Sequence, residues 1–199
     1  EHTRATRLHG IGFEPAPLDV AISQLALRTI PARASVPYEG TMPNGEYGFM
    51  WRNVMLPWFL GDATIFLCER APYAHERREK LQRKFDGGGL GIHSVRELVI
   101  GTTDYKRMCQ KWQDLLAPAQ PTQPCHWQPG SGPAITLVPH TENALLRVVI
   151  EVDSLGQARK FLAANNLLGA SSETEIAIDP NALDGLDIRL TVAAVAAGK

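Results

Sequence analysis

Two stretches of the chain carry the same order of apolar and polar positions. In residues 94–118, SVRELVIGTTDYKRMCQKWQDLLAP, apolar residues alternate over 95–101 and then recur at helical spacing over 104–116. Residues 145–169, LLRVVIEVDSLGQARKFLAANNLLG, repeat this more weakly, with a strand over 145–152 and a helix over 155–165. After the first helix come a proline-rich loop and a hairpin over 125–128 and 133–139, turning at Pro129-Gly130-Ser131-Gly132. After the second helix the pattern predicts strands near 173–178 and 186–192.

The first third of the chain reads the same way. A strand over 7–13 is ended by Pro15 and Pro17, and a helix over 18–28 sets Leu18, Ala21, Ile22 and Leu25 on one stripe. Strands follow over 32–38, 47–56 and 63–69, with a hairpin signal at Asn44-Gly45. The repeat period is roughly 50 residues, and each unit is too small to bury its own helix stripe. The expectation is therefore an α+β chain of repeated βαββ(β) modules that pair into curved mixed sheets with helices outside. By extent, 1–72 is a lone βαβββ module whose partner module is missing, and 73–90 is a charged linker helix with a glycine hinge at residues 87–89. Residues 91–193 form a module pair, and 194–199 are a tail. The chain begins at Glu1, and the expectation is that it is the later part of a longer polypeptide.

Composition narrows the function classes. Twenty Lys and Arg against 21 Asp and Glu leave a net charge of −1, so nothing global steers the protein to nucleic acid. The basic run at Arg77, Arg78, Lys80, Arg83 and Lys84 is interleaved with Glu76 and Glu79 and reads as a solvated helix. No apolar run is long enough to span a bilayer. Cys68, Cys109 and Cys125 follow neither a zinc nor a disulfide spacing and read as reduced thiols, which places the protein in the cytoplasm.

A strand, Asp, helix and further strands in tandem resemble the vicinal oxygen chelate superfamily of glyoxalase-like and bleomycin-resistance-like proteins. The closer resemblance is to bacterial glyoxalase-like domain proteins that join two module pairs. It is carried by GIGFEPAPLDVAISQLAL, MPNGEYGFMWRNVMLP, IFLCERAPYAHERREKL and VRELVIGTTDYKRMCQKWQDLL. It implies a cavity formed by sheets of paired modules, and in enzymes of the family a divalent metal. That metal is held by His or Glu near the start of each first strand and by a Glu on a last strand. The modules of the second pair look short of the family's three strands after each helix, and the lone first module needs another chain, as in a homodimer, or further residues to cover its edge.

Strand parity tests for those ligands. With Leu98 and Ile100 toward the helix, Glu97 faces the cavity in a ligand slot. In the copy, Arg147, Val149 and Glu151 face inward, as do Asp187 and Arg189 on the last strand. Arg147 and Arg189 occupy slots where a metal enzyme carries His or Glu, and a guanidinium offers no lone pair. Glu97 paired with Arg147 or Arg189 is either a structural ion pair or a base beside an anion-binding arginine. In the first module His9 shares a face with Ile11 and Phe13, Glu69 is the one residue placed to help a site with an absent module, and Trp51, Trp58 and Phe66 pack the sheet or line an apolar pocket. His93, His126 and His140 read as surface histidines.

Three functions stay open. The first is a small anionic or aromatic organic molecule bound in a curved-sheet cavity, with Glu97 catalytic and Arg147, Arg189, Glu151 and Trp51 binding, used for metal-free lyase or isomerase chemistry or for sequestration. The second is a metal-dependent lyase or ring-cleaving dioxygenase, with ligands supplied in part by the missing N-terminal module. The third is a non-catalytic assembly module. No cofactor, nucleic acid or membrane partner is expected.

Overall fold

The computed structural model describes residues 8, 10–15, 17–42, 45–60 and 63–192, and of residues 58–60 and 63 only the backbone. His9, Asn44 and the Trp58 side chain lie outside the described set. The chain forms two sheets, with helices packed against them.

The smaller sheet is built by β1 (Gly10–Phe13), β2 (Arg33–Ala34), β3 (Tyr38–Thr41), β4 (Tyr47–Leu60) and β5 (Ala63–Arg70), with α1 (Leu18–Leu27) between β1 and β2. Its order is β1-β5-β4-β2, and β3 also pairs with β4. The single strand expected over 32–38 is two short ones, because Pro37 has no N–H to give to the ladder. Val54, Leu56, Ile65 and Leu67 are buried with Leu18 and Leu25 of α1. On β1, Ile11 points the same way, whereas Gly12 lies under a ring of the neighbouring strand. A Cβ at Gly12 would come within 2.8 Å of Phe66.

α2 (Pro72–Gln82) follows and has no buried residue. Next, residues 87–91 form a tight turn. Gly87 and Gly91 take positive φ, Gln157 Nε2 donates to the Gly89 carbonyl at 3.4 Å, and a Cβ on Gly89 would strike Phe161 at 2.2 Å.

The larger sheet has eight strands, in the order β11-β12-β13-β10-β6-β9-β8-β7. One module contributes β6 (Ile92–Thr102), α3 (Tyr105–Leu116), β7 (Pro121–Gln123), β8 (His126–Trp127) and β9 (Ala134–Pro139). Its twin contributes β10 (Ala144–Val152), α4 (Leu155–Ala164), β11 (Leu168–Ser171), β12 (Ile176–Ile178) and β13 (Asp187–Val192). Three strands thus follow each helix, which corrects the reading of short modules; β7 and β11 have only three and four residues and leave no periodic signal. Both helices are capped by the side chains that end the preceding turns, Asp104 accepting from Arg107 N and Ser154 from Gln157 N.

The modules join through β6 and β10, which pair antiparallel with Leu98 opposite Val148. Opposite residues share a face, so α3 and α4 lie on the same side of the sheet. Leu98 and Ile100 pack in the cluster under α3, and Ile150, Ile188 and Leu190 in the cluster under α4. The two sheets meet helix side to helix side. Phe13 of β1 sits edge-on to Trp112 of α3 at 6.4 Å, and one apolar cluster spans both halves. Arg28 at the end of α1 donates to the carbonyls of Asp114 and Ala117, which α3 leaves open at its C-terminus.

Cys109 on α3 and Cys125 before β8 form a disulfide, with their Cα atoms 5.4 Å apart. The expectation of three reduced thiols is thereby corrected, since only Cys68 is free. The cytoplasmic expectation loses the support it drew from those thiols. Among the described residues no helix is long and apolar enough to cross a membrane.

Trp112 is 0% exposed at the junction of the halves. Trp112→Ala should lower stability by about 3–5 kcal/mol, seen as a lower urea midpoint with tryptophan and circular-dichroism signals still moving together. Separate transitions would show that the halves fold independently.

Candidate functional site

The face of the large sheet opposite α3 and α4 carries the polar side chains. Across the seam the registers run Glu97, Val149, Arg189 in one row and Val99, Arg147, Asp187 in the next. Outside β6, Thr136 of β9 lies beside Val99, and His126 of β8 beside Thr136. The result is two polar groups on one face.

The first group is a hydrogen-bonded line across three strands. Thr136 Oγ1 donates to Glu97 Oε1, and His126 Nδ1 lies 2.6 Å from Thr136 Oγ1 and 3.8 Å from Glu97 Oε1. Because the threonine proton goes to the carboxylate, the oxygen is left as acceptor, which puts a proton on His126 Nδ1. Sequence reasoning missed His126 and Thr136. The signal for them is not in spacing but in the register of β8 on β9 and of β9 on β6, which brings residues 97, 126 and 136 together.

The second group is centred on Asp187. Arg147 Nε donates to Asp187 Oδ2 at 2.7 Å, Arg189 Nε donates to Asp187 Oδ1, and Arg189 Nη1 donates to Glu175 Oε1 at 3.2 Å. The expected ion pair of Glu97 with Arg147 or Arg189 is therefore not formed: both arginines are taken by the aspartate beside them. Burial by itself would raise the Asp187 carboxyl, but the donors on Arg189 and Arg147 outweigh it and hold it below the usual carboxylate range. The Asp187 hydrogen bond raises Arg189 further, against the opposing effect of burial. Glu151 lies further along β10, beside Thr191 in the register.

Trp51 is not part of this surface. It sits on the small sheet, 39% exposed and stacked on Tyr38 with ring centroids 4.0 Å apart. It lines a cleft of about 540 Å³ between β4, β5 and α2, on the side of the sheet away from α1. Glu69 has the opposite orientation. It accepts from Arg52, which also bonds Asp19 of α1, so the carboxylate lies on the helix side of the small sheet.

A divalent metal, which the resemblance implies for enzymes of this fold, does not fit the residues present. Among the described residues no three His, Cys, Asp or Glu side chains gather to hold one. The seam row presents a carboxylate, an apolar side chain and a guanidinium, and Arg189 cannot coordinate. Glu69 faces α1 and does not complete a site on the open side of the small sheet.

Because the folded Asp187 carboxyl is lowered, its contribution to stability is complete above the unfolded value of about 3.9 and is lost as pH falls through the folded value. Asp187→Asn should lower the urea midpoint at pH 7, and its gap to the wild type should close below about pH 4. A gap independent of pH would mean that the carboxylate charge does not hold the two arginines.

No protein-family profile matches the sequence, and no curated protein matches it. Solved structures do. An extradiol ring-cleaving dioxygenase from Brevibacterium fuscum superimposes with a TM-score of 0.60 at 14% identity, over 97% of this chain and 57% of that one. Homoprotocatechuate 2,3-dioxygenase from Arthrobacter globiformis gives 0.58 at 13% identity, over 94% of this chain and 62% of that one. A hypothetical protein from Staphylococcus aureus gives 0.60 at 10% identity, over 90% of this chain and 63% of that one. The chain thus spans under two thirds of the length of each of these structures. At such identities the likeness speaks to architecture. Together with two βαβββ modules joined through their first strands and helices on one face, it establishes that the chain has the fold of the vicinal oxygen chelate superfamily.

Proposed function

We propose that the chain binds a small organic anion on the open face of the large sheet and acts on it by metal-free proton transfer, with Glu97 as the base. The observation that carries this reading is the line from His126 through Thr136 to Glu97. A carboxylate oxygen that accepts from Thr136 is held in one orientation, as a base must be. Proton abstraction next to a carbonyl leaves an enolate, whose charge needs cationic donors nearby. Among the described residues Arg147 gives only its Nε–H, to Asp187, and its remaining donors suit the carboxylate or enolate of a ligand. Glu151 closes the same face at its other end. This is lyase or isomerase chemistry. A ligand held here and left unchanged would instead mean sequestration. The outer edge of β1, which corresponds to the edges that join β6 to β10, supports pairing with a further module, from a second copy or another segment.

Solvent exchange tests the reading. Chelator-treated protein in D2O should exchange the protons next to the carbonyl of pyruvate or 2-oxobutyrate faster than buffer does, followed by loss of the proton NMR signal. Glu97→Gln should reduce the enzymatic rate by about 10²–10⁴-fold, whereas Arg147→Ala should chiefly raise the substrate concentration needed for half-saturation. Exchange that appears only after a divalent metal is added would overturn the metal-free mechanism. Binding without exchange would replace it by sequestration.

A further inference from the structure

The cleft under α2 belongs to neither polar group of the large sheet, and its lining is specific. We infer that it is a second ligand site, for an aromatic carboxylate that also carries a hydrogen-bond donor. Its volume of about 540 Å³ falls within the range of small-molecule sites.

Three features define the ligand. The walls are aromatic: Trp51 is held in place by its stack on Tyr38, and the Phe66 ring is laid against β1 where Gly12 has no side chain. Flat apolar walls of this kind suit a ring. The rim is cationic, with Arg70, Arg77 and Arg78 all lining the cleft. The nearby carboxylate, Glu14, reaches Arg78 at 2.7 Å, His75 at 3.7 Å and Arg70 at 3.9 Å. Glu79 of α2 is turned to Arg83. Arg77 has no ion-pair partner among the described residues, and one glutamate does not balance three guanidiniums. A carboxylate does, through paired N–H donors.

The third feature is an unmet acceptor. Asn53 Oδ1, on a residue that lines the cleft, is shielded from solvent and has no hydrogen-bond partner among the described residues. A buried carbonyl oxygen without a donor is costly, and a ligand hydroxyl would satisfy it. The amide stands opposite Cys68 on β5, and Trp51 opposite Arg70 two pairs nearer the rim. The acceptor thus lies deeper along the strands than the charge. A ring with a carboxylate at one end and a hydroxyl at the other matches that order.

The probe is 4-hydroxybenzoate, titrated into the full chain by calorimetry, with benzoate and 4-hydroxybenzyl alcohol as the two incomplete ligands. The expected result is saturable binding of 4-hydroxybenzoate, weaker by about tenfold or more for each incomplete ligand. Arg77→Ala, on an exposed helix position, and Trp51→Leu should each weaken binding to a similar degree while circular dichroism stays native. Asn53→Leu should erase the preference for 4-hydroxybenzoate over benzoate; if that variant does not fold, Arg77→Ala and the ligand series decide alone. Arg77→Ala should leave deuterium exchange at Glu97 unchanged. Equal binding of the alcohol, no effect of Arg77→Ala, or loss of binding in Glu97→Gln would overturn the assignment. So would binding that disappears as the protein dimerises, because a second copy would then cover the cleft.

Discussion

The antiparallel contact of β6 with β10 is the constraint on which the rest of the large sheet depends. It joins two modules by their first strands, and its register decides which side chains share a face. With Leu98 set against Val148, both helices must lie on one side and both polar groups on the other. A slip of one residue would bring Glu97 into the apolar cluster and Leu98 onto the polar face. The chain resists that slip because each module has already committed its apolar set, Ile100 beneath α3 and Leu190 beneath α4, to its own helix.

The ion network on the polar face follows from this placement. Arg147 and Asp187 are direct neighbours on paired strands, and Arg189 is two residues from Asp187 along one strand. A short aspartate between two long guanidiniums can reach both, and it leaves Glu97 to the far side of the seam. Glu97 finds its partners on β9 instead, and the face divides into a basic half stitched by Asp187 and an acid–base half running out to His126. Such a division suits a ligand with an anionic end and a reactive end. A central cation would find donors on one half only.

Much of the fold was legible from alternation alone. The strand-helix order, the inward set Glu97, Arg147, Glu151, Asp187 and Arg189, and the packing set Leu98, Ile100, Ile188 and Leu190 all come from a period of two. What alternation cannot give is which strand lies beside which. His126 looked like a surface residue because its partners are 10 and 29 positions away and meet only through β9. The Cys109–Cys125 bond needs α3 to pass over the start of β8, a tertiary fact. Short edge strands such as β7, which begins at Pro121, are too brief for any period to show. Glu69 is a different case, since it shares parity with Ile65 and Leu67 and its place beside α1 was readable; its position at a strand end obscured that.

The contact between Gly12 and Phe66 makes the two positions a single unit of inheritance. They are register partners on β1 and β5, and the ring occupies the space a side chain at 12 would need. An alanine at 12 requires the far end of the ring at 66 to shift or shrink, and either change reshapes a wall of the cleft beneath α2. Divergent copies of this chain would then show the two sites changing together, glycine with a large ring or a side chain with a small residue, and the shape of that cleft would vary in step with a residue that never touches what fills it.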